Sequence, residues 1–443
     1  MYQERGFLAS MLIFLIVRFC SSTDTITLTQ PLKDGDILVS NGKTFALGFF
    51  SPTNSSNRYM GIWYNKVSEQ TVVWVANRDR PITGSTGILS VDETGNLVLH
   101  ENDQAFVFWS TNVSRVANDV FSAQLLDSGN LVLFQGGIYS WQSFDYPSNT
   151  LLPGMKFGLD KKTGLNRVIT SWKSGVNPGV GDYSYKMEFV GSPQLFLYKG
   201  VTRVWRTGSW TGHGWSGVPA MTQNYIFNVS YINNNDEVVV VYLIRNSSIF
   251  SRLVVNESGT VERLTWHEAE QKWVGFWSAP KDQCDGYNHC GPSGFCNPFK
   301  SDSFECDCLP GYEPRSPQDW YLRDGSKGCK IKVGTQMCGS GDGFVELDRV
   351  KVPDTSTARV NMSLGLEACE ETCLMNCTCM GYASADVSKG GCIMWYGDMI
   401  DTRTFSDGGQ SFYIRVDAAE LGTPLILFSS KPSKMDHVFE SGC

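Results

Sequence analysis

Cysteine and histidine are the side chains here best able to hold a metal or to act as, or activate, a nucleophile. Of 443 residues, 14 are cysteine and 5 are histidine. Cys20 lies near the amino end, Cys443 is the last residue, and the other twelve cysteines fall between Cys284 and Cys392. His100, His213, His267, His289 and His437 stand in separate segments, none in a nucleophile or metal motif. His267-Glu268-Ala269-Glu270-Gln271 lacks the second histidine of the HExxH zinc pattern. Gly212-His213-Gly214-Trp215-Ser216-Gly217 matches GxGxxG formally, but its flanks are aromatic and β-like. A dinucleotide site needs a strand before those glycines and a helix after them, so the segment reads as a glycine-rich loop. GxSxG, the P-loop and the kinase catalytic motifs do not occur in the sequence. The expectation is a chain without catalysis, catalytic residues, metal or cofactor.

What the twelve central cysteines do depends on the compartment. Met1–Gly6 carries one arginine, Phe7–Val17 is apolar, and Cys20-Ser21-Ser22 supplies small residues, the three parts of a secretory signal peptide over residues 1–22. Arg18 interrupts a run already shorter than the roughly 20 residues that cross a bilayer. The later run Pro424-Leu425-Ile426-Leu427-Phe428 is shorter still, so a secreted, extracellular chain without a membrane span is expected. In an oxidising compartment an even, clustered cysteine count reads as disulfides. Zinc is the alternative at Cys306-Asp307-Cys308 and Cys377-Thr378-Cys379, but the one-residue gap disfavours a tetrahedral thiolate site. Glycosylation is expected at Asn54, Asn112, Asn228, Asn246, Asn256, Asn361 and Asn376, each opening an Asn-x-Ser/Thr sequon. Asn376 is the weakest of these, because a tight disulfide loop at Cys377 would obstruct it. The net charge is −8 and 19% of residues are charged, without the clustered Lys and Arg that phosphate binding needs, so nucleic acid is excluded as a partner.

The elements that must position these residues are strands. Thr44–Phe50, Thr71–Val75, Asn96–Leu99 and Asn130–Phe134 are short apolar runs between turn residues, and no 3.6-residue period persists across two turns. Gly95-Asn96-Leu97-Val98-Leu99 and Gly129-Asn130-Leu131-Val132-Leu133 repeat one hairpin unit, which suggests similar hairpins around an axis, as in a β-prism. A second β-rich stretch follows, with strands expected at Tyr183–Phe189, Gln194–Tyr198 and Val238–Leu243. Eleven of the 13 tryptophans precede Cys284, as expected where aromatic cores replace cystines, and packing is their expected role. The remainder divides into two modules of six cysteines each and a polar tail.

Four blocks resemble the plant S-locus glycoprotein and S-domain receptor kinase family, also called G-type lectin receptor kinases. Val73–Pro81, Leu125–Val132 and Trp141–Pro147 are similar to its bulb-type lectin domain. Trp205–Trp210 with Phe276-Trp277 is similar to its S-locus glycoprotein domain, a second lectin-like β unit. Cys284, Cys290, Cys296, Cys306, Cys308 and Cys329 resemble an EGF-like module, and Cys369–Cys379 with Cys392-Ile393-Met394-Trp395 a PAN/apple module. The resemblance implies a mostly β chain with tandem β-prism-like lectin domains at 23–155 and 156–280. An EGF-like module at 281–330, a small α+β PAN/apple module at 335–417 and a tail at 418–443 follow. It implies the disulfides Cys284–Cys296, Cys290–Cys306, Cys308–Cys329, Cys369–Cys392 and Cys373–Cys379, and with them Cys338–Cys377. EGF modules of this kind are two small hairpins with almost no core. Pro280 and Lys281, beside Asp282 and Gln283, take part of the stretch where a calcium-binding EGF module offers oxygens, so no calcium site is expected.

Mannose-binding bulb lectins use Gln-x-Asp-x-Asn-x-Val-x-Tyr. In register this chain offers Asp92, Thr94, Asn96, Val98 and His100, then Leu126, Ser128, Asn130, Val132 and Phe134. The Asp and Tyr are missing twice and the Gln is replaced, so Asn96 and Asn130 read as turn or ladder residues and no mannose binding is expected. The function the resemblance implies is recognition of a protein or peptide, in the family including cysteine-rich peptides and pollen self-incompatibility determinants. Pairing with itself or with related receptor kinases is also implied. A carbohydrate lectin and a truncated receptor kinase product are the alternatives. Val201–Asn256, with the polar loop Asn233–Asp236, is the segment expected to carry specificity. The tail is expected to be disordered, with Cys443 either a spare thiol or an intermolecular bridge.

Overall fold

In the strand Gly87–Val91 every second side chain is buried, and the same alternation runs through Phe121–Leu125. Successive strand residues face opposite ways, so Leu89, Val91, Ala123 and Leu125 turn inward. The computed structural model describes residues 24–421 except 102–105, 115–119, 222–224, 301–302, 336 and 340. The expected signal peptide, His437, Cys443 and most of the expected tail lie outside the described residues. Those that are described divide into one unit ending at Tyr287 and another beginning at Asn288.

The first unit is built from six antiparallel sheets in two sets of three. The first set comprises Ile37–Val39, Phe45–Phe50, Asn57–Tyr64 and Val72–Val75; Leu32–Lys33, Gly87–Val91, Leu97–Glu101 and Val107–Ser110; and Thr25–Thr27, Phe121–Leu125, Leu131–Gln135 and Ile138–Gln142. The second set is Ile169–Ser174 to Thr202–Ser209; Phe157–Asp160, Glu237–Ile244 and Phe227–Asn233; and Thr150–Leu151 with Ser251–Val255, Val261–His267 and Lys272–Ala279. The strands expected from the sequence are present in both sets, and the tandem β-prism-like architecture stands. One turn recurs: Gly95 N–H donates to Asp92 C=O at 3.0 Å and Gly129 N–H to Leu126 C=O at 2.9 Å. Both glycines have positive φ, 81° and 85°, which excludes most side chains there.

A single apolar core runs through both sets, from Leu47, Leu89 and Leu133 to Phe157, Leu197 and Val255. Arg78 fastens them together, donating to Thr170 Oγ1 at 2.6 Å, Ser171 C=O at 2.6 Å and Pro178 C=O at 2.8 Å. Burial pulls its pKa down to about 10, still charged at neutral pH.

The second unit departs from expectation in its sheet. The hairpin Gly294–Cys296 and Cys306–Cys308 is extended by a strand distant in sequence: Gly294–Cys296 pairs in parallel with Thr402–Thr404. One eight-stranded sheet thereby continues into Gly343–Lys351, Gln410–Val416, Cys379–Asp386, Gly390–Tyr396 and Ala358–Asn361. Phe295, Leu309 and Tyr312 are buried in one cluster with Leu347, Val350, Ile393 and Trp395, so the hairpins expected to lack a core share one. The helix Leu366–Leu374 buries Cys369 and Cys373 on its sheet side. Ala418–Leu421, assigned above to a disordered tail, forms a helical turn instead, with Glu420 paired to Lys332 at 2.8 Å.

Candidate functional site

The two repeated hairpins carry the positions at which a bulb lectin would hold sugar, and here their asparagines bond within their own hairpins. Asn96 Oδ1 accepts from Thr111 Oγ1 at 3.0 Å and Val113 N–H at 2.7 Å. Its Nδ2 donates to Thr94 Oγ1 at 3.0 Å and Val113 C=O at 3.3 Å. Asn130 repeats the device: Oδ1 accepts from Ser143 Oγ and Phe144 N–H, both at 3.2 Å, and Nδ2 donates to Gln142 Oε1 at 2.9 Å. Thr111 and Ser143 complete it, each hydroxyl also accepting the N–H of the residue after the asparagine, Leu97 at 3.1 Å and Leu131 at 2.9 Å. Each carboxamide latches its turn to the returning strand, leaving little capacity for a sugar hydroxyl.

The remaining positions follow suit. Asp92 Oδ1 accepts from Thr94 N–H at 2.9 Å, Thr94 Oγ1 at 2.7 Å and Asn96 N–H at 2.9 Å. His100, in the tyrosine position, is buried, with Nδ1 2.6 Å from Glu101 C=O and Nε2 2.9 Å from Ser90 Oγ. A carbonyl only accepts, so Nδ1 carries a proton and, in the neutral ring, Nε2 accepts from the serine. Val98 and Val132 are buried. The side chains of Leu126 and Phe134 have no hydrogen-bonding group, and Ser128 Oγ accepts from Asn130 N–H at 3.4 Å. An open groove of about 680 Å³ remains at this first register, with Ile88, Val98 and Val107 and the polar Ser90, Asp92 and His100 among its walls.

The structure joins Cys290 to Cys306, Cys308 to Cys329, Cys338 to Cys377, Cys369 to Cys392 and Cys373 to Cys379; Cys284 and Cys296 are also disulfide-bonded. His289 lies close to Cys290, Cys296 and Cys306, but oxidised sulfurs offer no thiolate, and its Nε2 is 2.7 Å from Glu305 Oε1. Among the sequons, Asn54, Asn112, Asn228, Asn246 and Asn361 are exposed, whereas Asn256 and Asn376 are half-buried. Asn233–Asp236 is the exposed tip of a hairpin. Gly212–Gly217 is a loop between strands, and it roofs a second concavity, over Arg263, which the sequence reading did not single out. The available signal was an arginine at an inward position of the alternating strand Val261–His267.

Three family models match: D-mannose binding lectin at residues 71–173, S-locus glycoprotein domain at 205–316 and PAN-like domain at 338–402. The chain is 39% identical over 432 residues to the S-locus-specific glycoprotein BS29-2 of Brassica oleracea var. alboglabra, covering 94% of this chain and 98% of that one. It is 49% identical over 419 residues to a G-type lectin S-receptor-like serine/threonine-protein kinase of Arabidopsis thaliana, covering 93% of this chain and 50% of that one. It therefore spans about half the length of the receptor kinase it matches. Among solved structures, monomeric mannose-binding lectins from Gastrodia elata align with 27% of this chain and 96% of theirs, at 18% identity and a TM-score of 0.21.

Proposed function

Because the chain belongs to the family of S-locus glycoproteins and S-domain receptor kinases, we propose that it is an extracellular recognition protein that works by binding alone. Its ligand is a protein or peptide, of which a cysteine-rich peptide is one kind, or a related receptor ectodomain. The observation that supports this reading is the internal hydrogen bonding of Asn96 and Asn130, which occupies the carboxamides that a sugar site would use. Exposed loops such as Asn233–Asp236 remain as adaptable contact surface. No helix among the described residues is long and apolar enough to cross a membrane. A secreted binder of this kind changes signalling by mass action, removing ligand in proportion to its concentration over the dissociation constant.

The test is a pull-down of an extracellular peptide fraction by the purified, secreted chain, with and without excess methyl α-mannoside. Retention that ignores the sugar and is abolished by protease treatment of the fraction supports the proposal. Retention displaced by the sugar would establish the lectin alternative instead.

A further inference from the structure

Arg263 is the one charged residue on the floor of the cavity under the Gly212–Gly217 loop. Its strand Val261–His267 alternates, burying Val261, Arg263 and Thr265. Cross-strand neighbours Leu253 and Trp277 extend the floor on either side, and Trp210, Gly214 and Trp215 form the roof. His213, exposed, stands at the rim. Only 5% of Arg263 is accessible.

A buried guanidinium ordinarily sits against a carboxylate, since an isolated buried charge is costly. Here the guanidinium lies over the Tyr242 ring at 3.9 Å and the Phe227 ring at 4.7 Å. Its Nε and Nη1 have no hydrogen-bond partner among the described residues. The Tyr242 hydroxyl gives its own proton to Leu151 C=O at 2.8 Å, and burial pushes its pKa up to about 12, so it supplies no negative charge. Burial likewise raises Tyr185, the other phenol beside the arginine. The cavity is therefore apolar, aromatic and cationic, and lacks an anion.

We propose that this cavity binds a small organic monoanion, a carboxylate on a short branched aliphatic body, with Arg263 as the partner of the anionic head. Its volume is about 70 Å³, which limits the occupant to roughly three to six heavy atoms. The aromatic walls take the aliphatic body, and Arg263, which hydrogen-bonds Tyr242 but leaves Nε and Nη1 unpartnered, points to an acceptor bearing charge. The proposal rests on this cavity alone and stands whether or not a peptide binds elsewhere.

The test is titration of the full secreted chain with isobutyrate, against isobutyramide as a neutral isostere and chloride as an ionic-strength control. Trp210, Trp215 and Trp277 line the cavity, so tryptophan fluorescence reads occupancy directly. The expected result is saturable quenching by isobutyrate, with the amide binding at least about tenfold more weakly. Arg263→Met should abolish the preference for the acid, and Val229→Phe, which fills the cavity while keeping the arginine, should abolish binding of both. The wild-type comparison needs no variant to fold. An absent or non-saturable response, an equal response to acid and amide, or unchanged isobutyrate binding by a folded Arg263→Met protein would overturn the proposal.

Discussion

Asn96 and Asn130 stand at the same place in the two repeats and make the same kind of bonds. Each closes a hairpin, and removing the carboxamide would leave buried or half-buried donors on Thr111, Val113, Ser143 and Phe144 without their acceptor. Asn96→Ala and Asn130→Ala should each cost about 1 to 3 kcal/mol in denaturant unfolding. If either asparagine instead served a sugar, its alanine variant would keep wild-type stability and lose glycan binding. The sequons make a second residue-scale prediction. Asn256 Nδ2, the atom a glycan would occupy, bonds Thr260 Oγ1, and Asn376 is held in the turn beside the Cys338–Cys377 bridge. Glycopeptide mass spectrometry should find Asn54, Asn112, Asn228, Asn246 and Asn361 occupied, and Asn256 and Asn376 occupied to a lesser degree. Uniform occupancy would show that folding does not compete with modification at those two positions.

At the scale of an element, the helix Leu366–Leu374 ends on a buried cation. Arg415 donates from Nη1 to Cys373 C=O at 3.3 Å and Asn376 C=O at 2.9 Å, and from Nη2 to Leu374 C=O at 3.1 Å. Its Nε meets Asp342 at 3.0 Å, where both side chains are almost fully buried. Positive charge at a helix carboxyl end satisfies carbonyls that have no intrahelical partner and complements the helix dipole. Arg415→Met should destabilise the second unit by about 3 to 5 kcal/mol, much of it from leaving Asp342 buried and unpaired. The double change Arg415→Met with Asp342→Asn should therefore cost clearly less than the sum of the single changes. Additivity within about 0.5 kcal/mol would mean that the two side chains act independently.

At the scale of the whole molecule, each unit gains its cooperativity from pairings distant in sequence. In the second, Phe295 and Cys296 pair with Thr402 and Arg403, and the sheet passes on through Lys351, Val350 and Thr404. Native-state hydrogen exchange should show the hydrogen-bonded amides of Gly294–Cys296 and Thr402–Thr404 opening together with Gly343–Lys351. Exchange of the Gly294–Cys296 hairpin many-fold faster than its neighbours would indicate an autonomous small module. In the first unit the core is continuous from Leu47 to Val255, so both three-sheet sets should likewise unfold as one.

Local chemistry was legible in the sequence because strands, turns and sequons are short-range. The Gly-Asn-Leu-Val-Leu repeats, the short apolar run within Gln194–Tyr198 and the helical spacing of Cys369 and Cys373 each depend on a few adjacent residues. The eroded sugar sites were legible too, since a missing side chain is visible without coordinates. What Asn96 and Asn130 bond instead was not, because most of their partners lie 12 to 17 residues away, at or just beyond the ends of the returning strands. The parallel pairing of Gly294–Cys296 with Thr402–Thr404 spans more than a hundred residues, and backbone hydrogen bonds carry no side-chain signature to announce it. Arg263 was visible only as an inward-facing arginine. Its lack of a carboxylate, and the cavity that exposes that lack, arise where three sheets and a loop converge, which tertiary structure alone decides.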